Sequence, residues 1–139
     1  MREILFRAKS KNYRLNVKDK HWVYGSLVRG EVLFPKKKEE YFIVELSNRG
    51  SCTYEVEPGT LCQYTGMNDK NGKRIWENDI VKHERSDTIG TVKWYQEDYV
   101  GWCVDDVCID EQQFTDEMWN ECEVVGDIFD TPELLKGEE

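Results

Sequence analysis

The sequence predicts a mainly β fold, built as small SH3-like barrels or β subdomains with one or two short helices. Three observations predict it. The apolar stretches are short and rich in β-branched and aromatic residues. One of them, residues 88–95, alternates between two faces. Gly, Pro, Asn and Asp interrupt the stretches at intervals typical of sandwiches and small barrels. A chain of 139 residues fits one domain over 1–139, or two packed β subdomains at about 1–62 and 63–139.

Taken in order, His21–Val28 carries Trp22, Val23, Tyr24, Leu27 and Val28 and reads as a strand. Tyr41–Leu46 is a second. Asn71-Gly72 tolerates positive φ, Asp69 can accept from nearby amides, and Thr65 and Ile75 flank them, so residues 67–75 read as a tight turn in a hairpin. Glu77–Val81 reads as a turn entering a strand, with Asn78 at a left-handed position. In 88–95, Gly90, Val92 and Trp94 fall on one face and Thr91, Lys93 and Tyr95 on the other. Asp110 can cap a helix bearing Gln113, Phe114, Met118 and Trp119. Cys122–Phe129 reads as a strand with a bulge at Gly126. Thr131-Pro132-Glu133 starts a last short helix, with Leu134 and Leu135 expected to dock on the β body.

Composition narrows the function classes. The charged fraction is 34% and the hydrophobic fraction 39%, so the seventeen aromatics must supply much of the core. The net charge of −9 argues against duplex nucleic acid as a direct partner. The basic run Lys36-Lys37-Lys38 is followed by Glu39-Glu40, which offsets it. Absence of an apolar run near 18 residues argues against a membrane partner. The short apolar stretch after Met1 does not make a signal peptide, and five cysteines, an odd count without a Cys-x-x-Cys, fit a reducing cytoplasm.

No motif assembles a catalytic or cofactor site. With Gly72 at the sixth position of a calcium loop, Asp69 and Asn71 fall correctly, but Met67 stands first and Asn78 twelfth. Gly66 and Gly72 bracket five residues rather than the four of a phosphate loop, and Arg74 follows Lys73 where Ser or Thr is needed. No cofactor and no metal are therefore expected. His83 reads as a surface histidine, and Asp105, Asp106, Asp110 and Glu111 as a solvated loop with a helix cap. Cys103 and Cys108 read as small hydrophobes.

The blocks Gln63-Tyr64-Thr65-Gly66, Asp69-Lys70-Asn71-Gly72-Lys73 and Glu77-Asn78-Asp79-Ile80-Val81 resemble the YopX family of phage and prophage proteins. Met1–Ile4 with Phe6–Ala8, Trp22–Leu27, Val124–Phe129 and Thr131–Leu135 follow in the family's order and spacing. One departure is Asn78, where the family pattern has Gly. The resemblance implies a mainly β fold, a phage or prophage origin and self-association, and carries no catalytic residues with it.

The reading that follows is a non-enzymatic phage or prophage accessory protein. It binds itself as a homo-oligomer and a phage or host protein, through a barrel face or a hairpin bearing Tyr64, Asp69, Lys70, Asn71, Lys73 and Trp76. One alternative is an acidic nucleic-acid mimic that occupies a host DNA-binding enzyme. Another is a metal-dependent hydrolase using His83, Asp105, Asp106 and Asp110.

Overall fold

A computed structural model describes residues 3–11, 22–35, 38–84, 89–96, 100–105 and 119–136. The chain divides into two compact units, Met1–Gln63 and Tyr64–Glu139. Both are antiparallel β structures, and among the described residues neither sheet closes into a barrel.

The first unit holds β1 (Phe6–Lys9), β2 (Trp22–Val32), β3 (Lys38–Ser47) and β4 (Gly50–Glu55), hydrogen-bonded in the order β4-β3-β2-β1. A 3-10 turn at Pro58–Thr60 leads to β5 (Cys62–Asn68), whose first residues pair with β1. Alternation dictates the layering: Val23 is buried, Tyr24 exposed, Leu27 half-buried and Val28 exposed. The inner face packs Ala8, Val23, Ile43 and Val56, with Phe6, Tyr41, Tyr54 and Leu61 around them. The outer face carries Tyr24, Val28 and Leu46, all exposed, beside half-buried Phe42 and Val44. Of β2, β1 pairs with Trp22–Gly25, and of β3, β4 pairs with Phe42–Ser47. Among the described residues, Gly30–Val32 and Lys38–Glu40 pair with each other alone, as a two-stranded ribbon.

The second unit holds the remainder of β5, β6 (Arg74–Trp76), β7 (Asp79–His83), β8 (Ile89–Gln96), β9 (Val100–Asp105) and β10 (Cys122–Asp127). The last four lie in the order β10-β7-β8-β9. Their core is Ile75, Val81, Val92, Val104, Trp119 and Cys122, with Met67, Trp102 and Val124 packed on it. Trp119, in a helical turn, is 1% exposed; the rest of the helix expected from Asp110 lies outside the described residues. β8 is a strand as expected, but Gly90, Thr91 and Val92 are buried on both faces while Trp94 is exposed. The C-terminal helix is a 3-10 helix, Pro132–Lys136. Leu134 is half-buried over Gly126, whereas Leu135 is 41% exposed and corrects the expectation that both leucines dock. At three residues per turn, neighbouring side chains point about a third of a turn apart, so Leu134 and Leu135 do not share the inward face.

Candidate functional site: a hairpin held by buried carboxylates

The turn joining β5 to β6 is built around one side chain. Asp69 is 4% exposed. Its Oδ1 accepts from the amides of Asn71 and Lys73, each at 2.9 Å, and its Oδ2 from the amide of Val124 on β10, also at 2.9 Å. The Lys70 amide donates to the Cys122 carbonyl at 2.9 Å. Gly72 completes the turn at φ 80°, a left-handed conformation open to glycine at little cost. The carboxylate thus fastens the hairpin to the neighbouring strand. Three of its about four acceptor sites are taken by backbone amides, which leaves little for a calcium ion.

Two more aspartates repeat the device. Asp79, 2% exposed, accepts from the Trp76 amide at 2.8 Å, closing the turn from β6 into β7. Asn78 in that turn has φ 69°, the left-handed conformation expected for it. Its amide donates to the Val92 carbonyl, its carbonyl accepts from Ile128, and its Oδ1 accepts from Lys93 Nζ at 2.7 Å. Asp127 Oδ1 accepts from the amides of Phe129 and Asp130 at 2.9 and 2.8 Å, while its own amide donates to Thr131 Oγ1. The bulge before it lies between Val124 and Gly126, and a Cβ on Gly126 would collide with Thr131 Oγ1.

The six candidate residues therefore fall into two groups. Tyr64, Asp69 and Trp76 are buried: the Tyr64 and Trp76 rings lie 5.5 Å apart, Tyr64 Oη donates to Asn68 Oδ1 at 2.7 Å, and the Arg74 guanidinium sits over the Tyr64 ring. Lys70, Asn71 and Lys73 are exposed at the tip, with Gly72 and Arg74 between and beside them. The buried three form the base, and the exposed three are what a partner could touch.

His83 corrects its reading as a surface residue. Its side chain is 11% exposed, and Nε2 lies 3.2 Å from Glu121 Oε2. Cys122 stands directly across the ladder from His83, so Cys, His and Glu gather although 39 residues separate His83 from Cys122 in sequence. The thiol is not set up as a nucleophile. Burial, then the nearby Glu121 and Asp69 charges, push Cys122 up to about 12, whereas a reactive cysteine needs a lowered value. For the hydrolase reading, Asp106 and Asp110 lie outside the described residues. Among the described residues no group of three or more His, Cys, Asp or Glu could hold a metal ion, and no helix is long and apolar enough to cross a membrane.

The division of the chain also reveals a charge pattern that the total conceals. Residues 1–63 carry 12 Lys/Arg against 8 Asp/Glu, net +4, and residues 64–139 carry 7 against 20, net −13. Lys70, Lys73 and Arg74, three of those seven cations, sit together at the hairpin tip.

The YopX protein family model matches residues 6–136. The chain belongs to the YopX family. The match takes in both units and the whole hairpin, so the turn chemistry of Asp69, Asn78 and Asp127 lies inside the shared region. Among solved structures, protein EF1440 from Enterococcus faecalis is similar in fold, with a TM-score of 0.51 and 20% sequence identity over 96% of this chain and 98% of that one. No curated protein matches.

Proposed function

We propose that this YopX-family chain is a non-enzymatic accessory protein, encoded by a phage or prophage and working in the host cytoplasm, that recognises another protein through the 64–79 hairpin. The observation that supports this most is the mounting of the tip. Lys70, Asn71 and Lys73 are exposed on a base fixed by Asp69 and by the Tyr64–Trp76 stack. A loop held on a rigid base presents its side chains at little entropic cost on binding. Three cations in an otherwise acidic unit suit an acidic patch on a phage or host protein.

The test is an affinity pull-down from induced host cells, with wild type against Lys70→Glu/Lys73→Glu. A partner held by the hairpin is captured by the wild type and lost from the variant at unchanged thermal stability. Identical capture by both proteins would remove the hairpin from the reading. A second reading, mimicry of nucleic acid, gains support from the net −13 of residues 64–139. It predicts that added duplex DNA displaces the captured partner.

A further inference from the structure

The sequence holds a single Asn-Gly pair, Asn71-Gly72, and the fold places it at the exposed tip of the β5–β6 hairpin. Asn-Gly is the pair most open to spontaneous loss of side-chain ammonia, because glycine sets no side chain in the way of its own nitrogen. In that reaction the Gly72 nitrogen attacks Asn71 Cγ and the Cγ–Nδ2 bond breaks. Ammonia leaves with the proton that the Gly72 nitrogen gives up. Water then opens the five-membered imide at either carbonyl, giving aspartate or, with the main chain routed through Cγ, isoaspartate. The attack needs a Gly72 nitrogen free to release its proton and a main chain free to carry it to Cγ. The hairpin opposes both. The Gly72 amide donates to the Asp69 carbonyl at 3.0 Å. The amides on either side of it, those of Asn71 and Lys73, both donate to Asp69 Oδ1 at 2.9 Å. Asn71 Nδ2 in turn lies 3.5 Å from Glu123 Oε1 on β10.

We propose that Asn71 is a modification site, converted spontaneously to aspartate and isoaspartate, and that the Asp69 clasp sets the rate. The closed hairpin withholds the pair from reaction, and each opening of the hairpin exposes it. The change runs one way and alters the tip twice over. Residues 70–74 carry Lys70, Lys73 and Arg74 and no anion, and the new carboxylate falls in their midst. Isoaspartate also adds one carbon to the main chain between the Asn71 and Lys73 amides, the two that share Asp69 Oδ1, so the clasp no longer fits. On the reading of the tip as a surface for an acidic partner, conversion weakens that contact.

The test incubates the full chain at mildly alkaline pH, folded and in guanidinium chloride, and follows Asn71 by peptide mapping with mass spectrometry. In the denatured chain Asn71 is expected to convert before any other asparagine. In the folded chain the same conversion is expected to run at least about tenfold slower. Asp69→Ala, checked for native circular dichroism, is expected to recover most of the denatured rate. Should that variant fail the check, the ratio of folded to denatured rates in the wild type decides alone. An Asn71 that stays intact in the denatured chain overturns the proposal. So does a folded wild type that converts as fast as the denatured one, or a native Asp69→Ala that converts no faster than the wild type. Mass spectrometry reads the conversion with no partner present, so its outcome stands whether or not the hairpin proves to be a binding surface. The consequence for binding is read separately, by Asn71→Asp in the pull-down, where capture is expected to fall at unchanged thermal stability.

Discussion

The two units of this chain solve the same problem with different means. Residues 64–139 bury aspartates, and each one fixes a turn: Asp69 holds the β5–β6 hairpin, Asp79 the entry to β7, and Asp127 the exit from β10. The first unit relies on a sheet face packed by Ala8, Val23, Ile43 and Val56, and leaves apolar side chains exposed on the other face and along the ribbon. A carboxylate bonded to two or three amides replaces the water those amides would lose, so acidity and compactness are compatible inside the second unit. The lesson is that a charge of −9 describes neither half.

If buried carboxylates hold the second unit, removing them must cost far more than altering exposed residues. Asp69→Ala strands three part-buried amides and is expected to lower stability by about 3 kcal/mol in urea unfolding. Lys70→Ala, one residue along the same turn, should change it by less than about 0.5 kcal/mol. Asp127→Ala leaves two amides unpaired and should cost about 2 kcal/mol. Gly126→Ala drives a methyl into Thr131 and should cost a similar amount, about 1–3 kcal/mol. On the other side of the comparison, Phe34→Ser removes an exposed ring and should leave the unfolding midpoint of the monomer unchanged.

Cysteine reactivity follows burial: Cys52 and Cys62 both lie in the first unit, and Cys62 is buried. Cys52 in the first unit is exposed, while Cys122 in the second is buried and pushed up to about 12. At about pH 8, iodoacetamide with mass-spectrometric readout should modify Cys52 and spare Cys122 until the protein unfolds. Because the folded value lies above the ordinary 9.0, the folded state holds this proton more tightly. The stability linked to it is complete below about pH 9 and is lost as pH rises towards about 12. A flat stability profile across that range would contradict the burial of Cys122 as the cause.

Much of the fold was legible because its signals are local. Asn71-Gly72, the left-handed Asn78 and the Gly126 bulge all announce themselves within a few residues. Asp69 was recognisable as a turn acceptor for the same reason. Its third bond, to Val124, joins residues 55 positions apart and leaves no local trace. His83 was misread on the same grounds, since Glu121, which covers it, is brought close only by the β7–β10 ladder. The opposite charges of the two units were present in the sequence but invisible until the boundary at Gln63 divided the count. Which hairpin residues are base and which are tip could not be told from residue type, because burial at Tyr64 and Trp76 depends on their stacking across β5 and β6.

Hydrogen exchange followed by NMR tests most directly whether buried aspartates, rather than strand pairing alone, hold the hairpin. The amides of Asn71, Lys73 and Val124 all donate to Asp69, and the Trp76 amide donates to Asp79. The expected result is that these four exchange only with global unfolding, although two of them belong to exposed residues of a turn. Asp69→Ala, which removes both acceptor oxygens, should release the first three selectively. Rapid exchange of Asn71 and Lys73 in the wild type, at the rate of an ordinary surface loop, would contradict the account.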